Sequence, residues 1–318
     1  MAFSSLRDRA DTRSMARSRS VPGLLGLIRG AHLEVLPTPT IVERCAGLPA
    51  DTTISVTCSP VKGIGATVEV ATGLAAQGRS VIPHLAARML DSPGHLEATV
   101  AALVSGGIRE VFVIGGDAEK PAGPYGDALA LMQGIVNLGD QFVRIGSAAY
   151  PDGHAAIGDD VLARSLFDRQ ALLEGAQVAG WLSTQMCFDV ERIERWAQHL
   201  RRSGVHLPIH LGVPGAVETT KLLTLGARIG VGASLRYLRK NRTAIRKMVM
   251  PGGFDPMELI APLSMGAADL GFEALHVFTF NQVEATEAWR RDVIDELTAA
   301  QIDLHTAPQT ADPNATPR

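Results

Sequence analysis

A chain of 318 residues that is 46% hydrophobic and 20% charged can bury one large core, so a single domain is favoured over two. Its net charge of -3 gives no reason to expect nucleic acid or a membrane surface as a partner. Cys45, Cys58 and Cys187 lie far apart in no metal-type spacing, which argues against a disulfide framework and a zinc site and for a reducing, cytoplasmic setting without a resident metal.

Residues 1–22 carry Arg7, Arg9, Arg13, Arg17 and Arg19 among Ser and Asp and read as a disordered arm. Gly26, Arg29 and Gly30 interrupt the apolar run around Leu24 to Ile28, so it does not make a signal peptide. Eight short apolar runs of strand character then follow one another, each ending in a polar or titratable residue and each trailed by a helix-like stretch. They are His32 to Leu36, Ile54 to Thr57, Val81 to His84, Val111 to Asp117, Phe142 to Tyr150, Trp181 to Gln185, Ile209 to Gly212 and Leu275 to Thr279. Eight strand–helix units predict an α/β fold, a closed (β/α)8 TIM barrel over residues 23–304, with its chemistry on the face where the strands end.

The helices are punctuated accordingly. Thr38-Pro39, Ser92-Pro93 and Asp255-Pro256 each set a capping side chain before a proline at the first helical position, and Gly78, Gly204 and Gly226 supply left-handed ends. The connection from strand 7 to strand 8, residues 228–273, is too long for one crossover helix. It contains Gly230-Val231-Gly232-Ala233-Ser234, for which an anion-binding loop and an ordinary glycine turn are both open. A basic stretch over 236–247, with Arg236, Arg239, Lys240, Arg242, Arg246 and Lys247, reads first as a solvated face. Residues 305–318 are Pro, Thr, Ala and polar residues without periodicity and read as a disordered tail. No stretch approaches transmembrane length.

The strand ends resemble one family of barrels. Leu33-Glu34-Val35-Leu36-Pro37-Thr38-Pro39, Ser55-Val56-Thr57, Pro83-His84-Leu85, Gly115-Gly116-Asp117, Ala149-Tyr150-Pro151 with His154, Ser183-Thr184-Gln185 with Phe188, Val213-Pro214-Gly215 and the segment His276 to Asn281 occur in the order and spacing of the methylenetetrahydrofolate reductases. The resemblance spans about residues 30–300. It implies reduction of the methylene bridge of 5,10-methylenetetrahydrofolate to a methyl group, in one-carbon and methionine metabolism. It also implies FAD as cofactor, with NADH or NADPH as reductant. Folate and a nicotinamide dinucleotide are then the expected partners, with a homo-oligomer left open.

Carried over residue by residue, the resemblance makes Glu34 and Asp117 catalytic and places substrate at Gln185, Asp117 and Phe278. Thr57, His84, Gly116, Asp117, Tyr150 and His154 fall at the flavin-contacting positions. Chemistry supports part of this. A hydride reaches the methylene carbon only after the five-membered ring opens to a cationic iminium, which requires a proton on the leaving nitrogen. Glu34, between apolar neighbours, would have its pKa raised by desolvation and could serve as that acid; the bland alternative is a capped carboxylate at a strand end. Asp117 follows a glycine pair, where little bulk separates backbone from ligand, and its carboxylate would favour the cation. Gln185 offers a donor and an acceptor to a pterin edge. His32, His210 and His276 sit inside strands and read as core.

Two positions depart from the family pattern. Gly115 stands where an Arg commonly precedes the Gly-Asp pair, and Glu174 falls near an expected Lys. Losing two cations would weaken a diphosphate site by a few kcal/mol, roughly the scale of charged hydrogen bonds. The alternatives are therefore direct hydride transfer from NADH without a flavin, and a folate-binding homologue without turnover. Other barrel chemistries fit less well. No lysine sits on an inner strand for a Schiff base, His206 and His210 flank Pro208 and cannot form a helical metal pair, and Gly63-Ile64-Gly65 lacks the third glycine of a dinucleotide fingerprint.

Overall fold

Residues 14–217 and 254–306 are described in the computed structural model. Within them eight strands stand where the apolar runs predict them: β1 (His32–Val35), β2 (Thr53–Val56), β3 (Val81–Ala86), β4 (Glu110–Ile114), β5 (Arg144–Ala149), β6 (Ala179–Thr184), β7 (Ile209–Pro214) and β8 (Phe272–Phe278). They pair in parallel in chain order, and β8 closes on β1, so the sheet is the predicted (β/α)8 barrel. The helices are α1 (Ser14–Arg29), α2 (Ile41–Cys45), α3 (Gly63–Ala76), α4 (Pro93–Ser105), α5 (Ala128–Val136), α6 (Asp159–Gly175), α7 (Val190–Arg202), α8 (Met257–Ser264), α9 (Ala267–Leu270) and α10 (Val283–Thr306). None of them is long and apolar enough to cross a membrane.

Local chemistry sets the boundaries. Ser92 accepts the His95 N–H at 3.2 Å, with Pro93 opening α4, and Asp255 accepts the Met257 N–H at 3.0 Å ahead of α8. Thr38 does not cap with its side chain: α2 starts at Ile41, whose N–H goes to the Thr38 carbonyl. Gly78 and Gly204 take φ of 77° and 91° after α3 and α7, as helix-ending glycines do. α1 begins at Ser14, within the segment read as an arm, and carries the buried Leu24, Leu25, Leu27 and Ile28 into the main core. Gly226, the glycine loop at 230–234 and the basic stretch at 236–247 lie outside the described residues.

Strand alternation sorts the side chains into two cores. Leu33, Val35, Val111, Val113, Leu275 and Val277 join the outer core under the helices. The lumen is filled with rings. Trp181 stacks on His210 at 5.5 Å between centroids and tilts against Phe112 at 6.1 Å, Phe112 meets His84 at 4.7 Å and His276 at 5.7 Å, and His32 meets His210 edge-on at 4.7 Å. Gly146 is register partner of Trp181, and a Cβ there would fall inside the indole, so the glycine makes room for the ring. The Trp181 indole N–H donates to Ser183 Oγ at 3.1 Å.

His210 is fully buried, and neither ring nitrogen has a hydrogen-bond partner. Glu273 Oε1 is 3.9 Å away, too far for a hydrogen bond, and is held by Arg144 at 2.8 Å. Burial pushes the His210 pKa down from 6.5 to about 4; Arg144 and His276 act in the same direction and Glu273 against it. The sign follows: below about pH 6.5 the unfolded chain binds a proton at His210 that the folded chain refuses. Stability therefore falls as pH drops from about 6.5 to about 4, by an amount on the order of 3 kcal/mol. His32 and His84, also lowered by burial, add to the same slope. His210→Leu is expected to flatten the decline, measured by urea unfolding at about pH 7 and about pH 5.

Candidate active site

Glu34 is the residue before the last of β1, on the inward parity between Leu33 and Val35, and its side chain is 18% exposed. Its Oε2 lies 2.8 Å from Nε2 of His276, whose side chain is 4% exposed. The strand register explains the pairing. His32 faces His276 and Glu34 faces Phe278, so His276 sits one inward position below Glu34 on the neighbouring strand and reaches up to it. Phe112 stacks on the imidazole and Phe278 meets it edge-on at 5.1 Å, which fixes the ring. Which of Oε2 and Nε2 donates in this bond follows from the tautomer of the ring.

The backbone around Glu34 is fixed by the turn after β8. Thr279 Oγ1 donates to the Glu34 carbonyl at 2.5 Å. Asn281 accepts the Leu36 N–H at 2.7 Å and donates to the Leu36 carbonyl at 3.2 Å and to Thr38 Oγ1 at 3.3 Å. Asn281 does so at φ 61°, a left-handed conformation that Asn tolerates better than most residues.

Asp117 lies in the loop after β4. It is exposed and makes no hydrogen bond or ion pair among the described residues. The alternative of a helix cap does not apply, because Asp127 caps α5 by accepting the Ala130 N–H at 2.9 Å. Gly116 takes φ of 87°, and a Cβ there would stand 3.1 Å from that of Ala86 on β3. A Cβ on Gly115 would meet nothing within 4 Å, which leaves an open shelf beside Asp117. Tyr150, at the end of β5, has its pKa raised by burial, lowered by Arg169 and raised again by Asp117, so the phenol and the carboxylate share one mouth. His154 meets Tyr150 edge-on at 5.0 Å. Gln185 directly follows β6; its Oε1 accepts the Met186 N–H at 2.8 Å, which leaves the amino group as the donor for a ligand. Thr57 Oγ1, just past β2, is buried without a partner. Phe278 is 9% exposed, beneath the opening.

The strand ends thus bring Glu34, Thr57, Gly116, Asp117, Tyr150, His154, Gln185 and Phe278 to the carboxyl-end face of the barrel. His84 lies one layer deeper, beside Glu34 and His276, and Glu174 falls elsewhere. His84 is 4% exposed and points into the lumen, where its Nε2 is 2.6 Å from Ser55 Oγ. Glu174 is in the last turn of α6, about 20 Å down that helix from the mouth at ~1.5 Å per residue. Its identity therefore bears on no ligand at the mouth. Glu34, His84 and His276 do bring donor atoms within 4.8 Å of one another, a combination that can take a divalent ion. Each already has a hydrogen-bond partner, Glu34 and His276 in each other and His84 in Ser55, so the group reads as a hydrogen-bonded cluster. Sequence reasoning missed His276, although it shares the inward parity of Phe278, and it missed Thr279 and Asn281 as supports of Glu34.

Fold and site together define a (β/α)8-barrel protein that presents a carboxyl–imidazole pair and a free carboxylate at its carboxyl-end face. The family model for methylenetetrahydrofolate reductase matches residues 48–232, more than half of the sequence. The chain belongs to the methylenetetrahydrofolate reductase family. Among solved structures it is similar to a protein from Clostridium thermocellum that binds two copies of 5-methyl-5,6,7,8-tetrahydrofolic acid, with a TM-score of 0.57, 13% identity and coverage of 88% of this chain and 99% of that one. It is also similar to the dihydropteroate synthase of Xanthomonas albilineans, with a TM-score of 0.42, 13% identity and coverage of 87% and 94%. At 13% identity the likeness to the Clostridium thermocellum protein is one of fold.

Asn281→Ala removes three bonds across the β8–β1 seam and puts a residue poorly suited to the left-handed region at φ 61°. The expected cost is roughly 2–3 kcal/mol by urea unfolding. Asn281→Gly keeps the conformation and should cost about 1 kcal/mol less; equal costs for the two would contradict the backbone part of this account.

Proposed function

We propose that the protein reduces 5,10-methylenetetrahydrofolate to 5-methyltetrahydrofolate with NAD(P)H. The observation that carries this reading is the Glu34–His276 pair, a hydrogen-bonded carboxyl and imidazole at the strand ends of a barrel that belongs to this family. The reaction balances as methylenetetrahydrofolate, NAD(P)H and one proton giving methyltetrahydrofolate and NAD(P)+. Glu34 gives its proton to the leaving nitrogen as the five-membered ring opens, and the iminium carbon accepts the hydride. His276 holds the Glu34 carboxyl at one angle, and a proton from solvent restores the acid after turnover. Asp117, exposed and without a counter-ion among the described residues, faces the cation and accepts N–H groups of the pterin. The free amino group of Gln185 donates to the pterin edge, and Phe278 supplies an apolar floor.

The residues present fit the planar end of a flavin. The shelf over Gly115, the partnerless hydroxyl of Thr57, and Tyr150 with His154 at the rim are suited to a ring and its ribityl chain. Thr57, Gly116, Tyr150 and His154 would hold FAD, which supplies hydride relay between dinucleotide and folate when bound.

The test is folate-dependent oxidation of NADH or NADPH by purified protein, with its visible spectrum recorded first. Glu34→Gln should lower turnover by about 100-fold or more while folate affinity changes by less than about threefold, since a general acid contributes ~10²–10⁴. Undiminished turnover in Glu34→Gln would remove the acid assignment. A flavin band identifies the cofactor, whereas a colourless active protein means direct transfer from the dinucleotide.

A further inference from the structure

Asp117 sits in a loop that Tyr125 anchors in the core at its far end but that few hydrogen bonds tie to other segments. Residues 115–127 between β4 and α5 include Gly115, Gly116, Gly123, Gly126, Pro121 and Pro124, a composition with much backbone freedom to lose. Yet Asp117 must stay at one place over the mouth if it is to meet a ligand. Among the described residues, every hydrogen bond tying residues 115–126 to another segment ends on a single residue, Arg88.

Arg88 lies in the 3-10 turn Ala87–Met89 that directly follows β3. Its backbone N–H donates to the Gly115 carbonyl at 3.0 Å, and its own carbonyl accepts the Ala122 N–H at 2.9 Å. Its Nε donates to the Gly126 carbonyl at 2.9 Å and its Nη1 to the Ala118 carbonyl at 3.0 Å. The anchored positions, 115 and 118, bracket Asp117. The loop also lies flat on the next turn of chain: a Cβ on Gly123 would overlap the backbone of Leu90 and Asp91. The two side-chain bonds leave the guanidinium from different nitrogens toward carbonyls on opposite limbs of the loop, a fork that a lysine ammonium cannot reproduce. Arg88 forms no ion pair among the described residues, so its charged donors are committed to this backbone.

We propose that Arg88 is a positioning residue for Asp117, acting as a clamp that holds the loop after β4 with the carboxylate over the mouth. The proposal rests on the reading that Asp117 meets folate. It is not a contact to the ligand; it acts through Asp117.

The experiment compares the full-length protein with Arg88→Met, Arg88→Lys, Asp117→Asn and the double variant Arg88→Met/Asp117→Asn. Two readouts are used. In ligand-free protein, amide hydrogen exchange over residues 115–126 should be about tenfold faster in Arg88→Met than in the parent, with other segments unchanged. In folate-dependent turnover, Arg88→Met should raise the folate KM by about tenfold and leave the dinucleotide KM within about twofold. The double variant should be no worse than Asp117→Asn alone, because a clamp has nothing to position once the carboxylate is gone. A merely structural arginine would instead show losses that add to those of Asp117→Asn, and that result overturns the proposal, as does an unchanged folate KM. If Arg88→Met does not fold, Arg88→Lys carries the same comparisons, with smaller effects in the same directions. Should the parent neither bind nor turn over folate, the proposed function fails. The exchange measurement then still decides the clamp, since a loop that exchanges as slowly without the guanidinium as with it was never held by Arg88.

Discussion

The bond between Glu34 and His276 joins the first strand of the barrel to the last. That seam is short, with three registered pairs between β1 and β8, and it is extended past the strand ends by Thr279 and Asn281. Closing the sheet and orienting the Glu34 carboxyl are therefore one structural problem solved by one set of bonds. A change that opens the seam also misplaces the carboxyl, because Glu34 has its backbone carbonyl on Thr279 and its side chain on His276. At this edge the closure of the sheet and the orientation of Glu34 cannot be separated, whereas in the loop after β4 Asp117 and its anchor Arg88 are different residues.

The lumen below departs from the branched aliphatic layers usual in such barrels. Trp181, Phe112, His32, His84, His210 and His276 fill it with flat rings. Neutral imidazoles pack much as other aromatics do, and burial holds His32, His84 and His210 in the neutral form. The cost falls on His210, whose nitrogens find no partner. The gain falls on His276, which can pack against Phe112 and still present Nε2 to Glu34. Gly146 is the counterpart of this choice, a strand position emptied so that an indole can cross the axis.

Periodicity made the fold legible. Eight apolar runs, each closed by a polar residue, mark eight strands because a strand buried on both faces must be apolar until it reaches the mouth. The site was legible only in part, since a strand-end residue can be assigned to the mouth from order along the chain, as Glu34, Asp117 and Gln185 were, but its partners come from other strands. His276 is distant from Glu34 in sequence and adjacent only through the closure of β8 on β1. His84 was read as the end of its run, whereas β3 extends to Ala86, so the imidazole lies inside the barrel beside Glu34 and His276. Arg88 had no signal at all, because its task is to bind carbonyl groups, which every residue has. Glu174 misled for a geometric reason: seventeen residues of helix carry the chain from one pole of the barrel to the other.

The ring-packed lumen has a further consequence for traffic. With Trp181 at 1% and His210 at 0% exposure, the far end of the barrel is stoppered, and anything that rests against Glu34 would arrive and depart over the same lip. A flat molecule lying on that floor blocks the one behind it. Two ligands sharing this well would have to stack or take turns.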